Sequence, residues 1–139
     1  MKYPKMGTRQ LYLLEERIKT FKNWPFDEKS RCNIRNMAEA GFYSVATSTE
    51  DVDATKCFLC GKELDGWESF DDPWAEHRSH AAKCAFVQIG KNEDELSFSE
   101  FLSIVKQYMI NEVNQIGGQQ KEIIDEKLKA IKRKYRGRK

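Results

Sequence analysis

Cys57-Phe58-Leu59-Cys60-Gly61, Asp71-Asp72-Pro73-Trp74-Ala75-Glu76-His77 and Cys84-Ala85-Phe86 set three cysteines and one histidine in the ladder C-x2-C-x16-H-x6-C. Two thiolates two residues apart share one tight turn and offer half a tetrahedron to a zinc ion, with Gly61 free to take the positive φ such a turn wants. The other two donors come from further along the chain. An N-cap aspartate followed by Pro73 at the first helical position starts a short helix, and His77 projects from it. Cys84 lies just past that helix and closes a four-ligand shell with no open position for water, which is the pattern of a structural site. His80, one helical turn beyond His77, is a rival for the third ligand.

Other uses of these cysteines fit less well. A redox Cys-x2-Cys pair requires a flanking βαβ pattern, which is missing, and it leaves His77 and Cys84 unexplained. Disulfides require an oxidising compartment. The apolar run Leu11 to Leu14 is too short for a signal peptide and is followed by Glu15-Glu16-Arg17. Cys32 reads as a small buried thiol. No apolar stretch approaches the roughly 20 residues of a membrane span, so the expectation is a soluble intracellular protein with Zn2+ as its cofactor.

The formal net charge of +2 hides a division, because residues 119–139 hold nine Lys or Arg against three acidic residues while residues 1–118 hold fifteen against nineteen. The body is acidic and the tail basic. Leu11, Leu14, Ile18 and Phe21 recur at helical spacing and predict an amphipathic helix that stops before Asn23-Trp24-Pro25. A second short helix spans Cys32 to Ala40 and ends at Gly41. Phe42–Ala46 and Thr55–Leu59 then read as short strands separated by a polar turn. A body of this size buries a modest core, and a structural zinc, worth about 10 to 16 kcal/mol in small zinc peptides, decides whether it folds.

After Gly90 the pattern becomes helical. Phe98, Phe101, Leu102, Val105, Met109, Val113 and Ile116 step mostly by threes and fours, and the pattern resumes beyond Gly117-Gly118 with Ile124, Leu128 and Ile131. Ser97 with Glu100 forms a capping box at the start. One long helix, or two in tandem, follows from this spacing. A continuous helix over residues 97–135 would extend about 58 Å, against a body about 30 Å across. Most of the stripe then needs another chain to cover it; a hairpin at Gly117-Gly118 that buries the stripe on itself is the alternative. The organisation expected is an N-terminal segment (1–11), a zinc-binding body (12–90) and a linker with a long C-terminal helix and basic end (91–139).

No catalytic constellation is present: the thiolates are committed to metal and no glycine loop cradles a phosphate, so a recognition protein is expected rather than an enzyme. Residues 50–76 carry nine Asp or Glu against only Lys56 and Lys62. Beside those charges Leu64 and Trp67 offer an apolar wall to Asp65 and Asp71. An α-ammonium followed by a small side chain suits such a mixture.

Arg17 with Phe21, Trp24-Pro25, Met37-Ala38-Glu39-Ala40-Gly41-Phe42, the Cys57–Gly61 knuckle, Trp67, Asp71–His77 and Cys84-Ala85-Phe86 together resemble the baculoviral inhibitor-of-apoptosis repeat over about residues 12–90. The resemblance implies a small α+β zinc-binding domain, with short helices around a three-stranded antiparallel sheet, and assigns the metal to His77 rather than His80. Within that family, one repeat followed directly by a long helix is similar to the members of the chromosomal passenger complex. No cysteine or histidine follows Cys84, so the RING finger of the ubiquitin-ligase relatives is absent from this sequence.

That likeness implies a ligand and partners. The ligand is the N-terminal tail of histone H-three, with alanine first and phosphothreonine third. Asp65 and Asp71 take its ammonium, Leu64 and Trp67 the alanine, Lys62 with His80 the phosphate, and Glu63 and Asp51 the flanking basic residues. Two positions depart from the family pattern: Asp65 stands for a glutamate and Phe70 for an acidic residue. The helix is implied to bind borealin and inner centromere protein and so to localise Aurora B kinase, at the centromere and in the nucleus, then at the spindle midzone and midbody, with a cytoplasmic pool. Homodimerisation through the Phe98–Leu102 junction is implied when partners are absent, and the basic end is a candidate for weak DNA contact. The competing reading is an apoptosis inhibitor that acts on caspases or captures pro-apoptotic proteins by an N-terminal alanine.

Overall fold

The computed structural model describes residues 10–115 and 121–136. Glycine 41 organises the centre of the fold. Helix α2 (Ile34–Glu39) starts on Asn33, whose side chain accepts the Asn36 amide at 2.8 Å, and the chain leaves it through Gly41 at φ 99°. A Cβ there would lie 3.0 Å from the Phe86 ring, so the site demands glycine for backbone and for space. From that turn β1 (Phe42–Ser44) pairs antiparallel with β2 (Thr55–Cys57), which pairs with β3 (Glu63–Leu64). The register sets Phe42 opposite Cys57 and Thr55 opposite Leu64. Three short strands result, and β3 is an edge.

Helices surround this sheet. α1 (Leu14–Ile18) is shorter than its apolar spacing predicts, and the Leu14 amide at its start donates to Glu93 at 2.8 Å. α3 (Pro73–His80) begins as read from sequence, with Asp72 as N-cap accepting the Trp74 amide at 3.0 Å and Pro73 in the first turn. α4 (Ala85–Ile89) ends at Gly90, where φ is 62°. The core is Cys32, Met37, Ala38, Ala40 and Phe42, all fully buried, with Trp67, Phe86 and Leu14 around them. Among the described residues no buried side-chain nitrogen or oxygen lacks a partner.

α5 (Phe98–Gln115) starts on the predicted capping box: the Ser97 amide donates to Glu100 at 2.8 Å and the Glu100 amide to Ser97 Oγ at 3.1 Å. One side of α5 packs on the body, where Ile104 and Tyr108 join the main core. The adjacent side carries Phe101, Val105, Met109 and Val113, and against it lies α6 (Lys121–Arg136) with Ile124 buried and Leu128 and Ile131 partly covered.

Of the two readings of the stripe, cover by another chain or by the chain's own second half, the described residues show the second, with α6 as the cover: Val105 is fully buried, and Phe101, Met109, Val113 and Ile124 are nearly so. The physical reason is that Ile124, Leu128 and Ile131 of α6 share one apolar cluster with the α5 side chains. Phe98 remains 45% exposed and Leu102 half-buried. Ile116 and Gly117-Gly118 lie outside the described residues. No described helix is long and apolar enough to cross a membrane.

Candidate metal centre and peptide face

The four donors of the ladder converge. The ligand atoms of Cys57, Cys60, His77 and Cys84 all lie within 4.8 Å of one another. Cys57 and Cys84 sulfurs are 3.9 Å apart, and Cys60 Sγ is 3.7 Å from His77 Nε2. With Zn–S near 2.3 Å and Zn–N near 2.0 Å, a tetrahedral shell has edges of about 3.6 to 3.8 Å, so this donor set fits zinc. His80, the rival, is exposed and turned away, with Nδ1 at 2.9 Å from the Glu76 carbonyl. His77 instead is fully buried, with its Nδ1 at 2.7 Å from the Ala40 carbonyl, which leaves Nε2 as the metal-facing atom. Cys57 and Cys84 are buried too, while Cys60 is exposed.

Burial pushes the Cys57 thiol far above its ordinary value, and the neighbouring Cys60 and Cys84 sulfurs add to the rise. Thiolates gathered there need a cation. A bound zinc would supply the charge that lets three thiolates share one small volume. The knuckle assists, because the Leu59 and Cys60 amides donate to Cys57 Sγ at 3.3 and 3.4 Å.

Arg17 completes the charge balance. It is 1% exposed, stacks over Phe58 at 4.6 Å and donates to the Ala38 and Leu11 carbonyls at 2.8 and 2.9 Å. Burial lowers its pKa to about 10, against the opposing pull of Glu93 and Cys57, so it stays charged at neutral pH. Three thiolates around a dication leave one net negative charge, and a buried guanidinium near Cys57 offsets it. Its bond to Ala38, like that of His77 to Ala40, also satisfies carbonyls at the C-terminal end of α2.

The residues read as a peptide face sort into several situations. Lys62, Glu63 and Asp65 are exposed, and their side chains make no hydrogen bond or ion pair among the described residues. Leu64 is half-buried on the edge strand. Asp71 has one oxygen on the Glu68 amide at 2.8 Å. Trp67 is only 6% exposed, packed edge-on against Phe42 with its N–H on Thr55 Oγ1 at 3.2 Å, so it gives a ligand a strip of ring rather than an open indole face. Asp51 is fully engaged by its own turn: the Thr47 and Ser48 amides donate to it at 2.9 and 2.8 Å, and these bonds hold its carboxyl below the usual carboxylate range.

Residues 17–88 match the inhibitor-of-apoptosis domain family. The chain belongs to the inhibitor-of-apoptosis repeat family. Baculoviral IAP repeat-containing protein 5 of Rattus norvegicus, of the survivin branch, is 47% identical over 114 residues, covering 81% of this chain and 80% of the relative. Repeat-containing protein 5.2-B of Xenopus laevis is 45% identical over 100 residues, covering 72% of this chain and 63% of the relative. Among solved structures, the crystal structure of DIAP1 BIR1 bound to a Grim peptide covers 60% of this chain and 78% of that chain, at 32% identity and a TM-score of 0.49.

Several residues of the chain had no role assigned from sequence. Arg17 gave a signal: it sits three residues after Leu14 and four before Phe21, a charge on the apolar face of α1. Asp53 gave none, yet its carboxylate accepts the Gly66 and Trp67 amides at 2.8 and 3.1 Å and so shapes the loop between β3 and the Trp67 core position. Asn111 of α5 donates to the Leu59 carbonyl inside the repeat's metal knuckle at 2.8 Å. Helical spacing alone does not reveal such a partner.

Proposed function

We propose that the protein is a non-enzymatic adaptor that reads the phosphorylated N-terminal tail of histone H-three and docks helical partners of the chromosomal passenger complex. The observation that carries the reading is the convergence at the metal. Cys60 and His77 are 3.7 Å apart, Lys62 follows the first by two residues, and His80 follows the second by one helical turn. A lysine and an imidazole are thereby tethered to one shell, where they offer two donors to a phosphate dianion. Next to Lys62 runs β3, an edge strand able to take an extended peptide as a fourth strand. Strand residues advance in step on both sides of an antiparallel pair. A peptide whose first residue lies opposite Leu64 therefore brings its third opposite Lys62, with both side chains on that face. Asp65 and Asp71 then receive the ammonium, Leu64 and the Trp67 edge the methyl, and Glu63 rather than Asp51 a flanking basic residue.

Partner helices of borealin and inner centromere protein take the position on α5 that α6 occupies in the isolated chain, and so bring Aurora B kinase to the centromere and later to the spindle midzone. Phe98 and Leu102 give them the first foothold. Zinc bound by Cys57, Cys60, His77 and Cys84 holds the peptide face rigid. Capture of pro-apoptotic N-terminal alanines draws on the same Asp65 and Asp71, and the phosphate separates the two readings. Calorimetric titration with histone peptides tests this. Phosphorylation at the third residue tightens binding about tenfold, and Lys62→Ala or His80→Ala removes most of that gain. A phosphate effect absent from the native chain would sink the chromatin reading in favour of the apoptotic one. Leu102→Asp is expected to abolish co-purification with the partner helices.

A further inference from the structure

Phe70 is 63% exposed, the most open large apolar side chain among the described residues. It does not sit on a loose loop. Glu68 to Asp71 form a turn closed from both ends: the Asp71 amide donates to the Glu68 carbonyl at 2.9 Å, and the Glu68 amide to Asp71 Oδ2 at 2.8 Å. The turn is also tied to the body, because the Arg31 amide donates to the Ser69 carbonyl at 2.8 Å and the Cys32 thiol to the Glu68 carbonyl at 3.1 Å. These bonds fix the turn before any ligand arrives, so ordering it on binding costs little. Phe70 stands in this turn next to Asp71 and two residues after Glu68, with no ring partner among the described residues. Asp72 beyond it is engaged by Arg31 at 3.3 Å.

An aromatic face flanked by carboxylates suits a guanidinium. That group is planar and weakly hydrated, stacks on a ring, and turns its N–H groups to carboxylates in the same plane. We infer that Phe70 is a specificity-determining residue that stacks on an arginine at the second position of the bound peptide. The inference rests on the reading above, in which Asp71 receives the first residue's ammonium and Phe70, its chain neighbour, faces the next. In an extended peptide the second side chain points away from the first and third, so it does not compete for Lys62, His80 or Leu64.

The test uses the full zinc-loaded chain and three peptides, beginning Ala-Arg-phosphothreonine, Ala-Ala-phosphothreonine and Ala-Arg-threonine. The native chain is expected to favour arginine over alanine at the second position about three- to fivefold. Phe70→Ala, checked for an unchanged melting temperature, is expected to shrink that preference about threefold while the phosphate gain stays intact. Phe70→Tyr keeps both. An arginine preference unaltered by Phe70→Ala overturns the assignment and leaves the phosphate reading standing. A preference that depends on Phe70 with no phosphate effect supports the assignment and overturns the histone reading. No binding of any peptide overturns both.

Discussion

The repeat and the helical pair that follows it are held together by different means. In the repeat, four donor atoms gather within 4.8 Å and the buried Arg17 answers their charge. Short elements of two to eight residues hang on that centre. In α5 and α6, helices of 18 and 16 residues share a seam of apolar side chains, none of which is individually decisive. A metal-centred fold therefore fails at single points, whereas an apolar seam weakens by degrees. Small domains cannot bury enough surface for the second strategy, which is why the first half of this chain uses the first.

The sharpest break between the two regions is metal removal. Chelation of zinc, or Cys84→Ala, is expected to abolish the cooperative melt of the repeat, since the metal contributes about 10 kcal/mol or more in comparable small sites. Near-ultraviolet circular dichroism reads the repeat through Trp24, Trp67 and Trp74, and a native aromatic signal surviving in zinc-free protein would end the metal-centred account. Next in size is the seam. Met109→Ala deletes a buried side chain between α5 and α6 and is expected to lower stability by about 2 to 3 kcal/mol in urea denaturation, with zinc stoichiometry unchanged. A loss below about 0.5 kcal/mol would mean that α6 does not cover this face in solution.

The smallest effect concerns the joint. Asn111→Ala leaves the Leu59 carbonyl without its α5 donor and is expected to cost about 1 kcal/mol. Its value lies in what it couples: Tyr108 packs 6.0 Å from Phe58 of the same knuckle, so the variant should also raise amide exchange across Ile104 to Val113. Exchange confined to residue 111 would show that the two regions stand independently.

Much of the repeat was legible because its signals are local. The Asp72-Pro73 start and the Ser97–Glu100 box act within one turn of chain, and the bonds they make are the ones their sequences announce, whereas α2, read as beginning at Cys32, begins at Ile34 on the Asn33 cap. The metal ladder was legible because three cysteines recur with a histidine pair at a spacing that closes a tetrahedron, with only the choice between His77 and His80 left open. The peptide face was legible as a collection of residue types, less so as a surface. Nothing in the residues around Trp67 says that it is buried on Phe42, nor that Asp51 is occupied by Thr47 and Ser48 while Asp65 stays open.

Sequence alone determined the three cysteine donors, the starts of α3 and α5 and the amphipathic stripe, since each depends on neighbours no more than a few residues apart or on a chemistry that few side chains share. Tertiary structure alone decided which histidine turns inward, what answers the charge of the thiolates and what covers the stripe. Those outcomes depend on groups brought together from distant positions, Arg17 with Cys57, Asn111 with Leu59, Ile124 with the α5 seam. Periodicity fixes the face that a helix must bury, but only packing selects the surface that buries it.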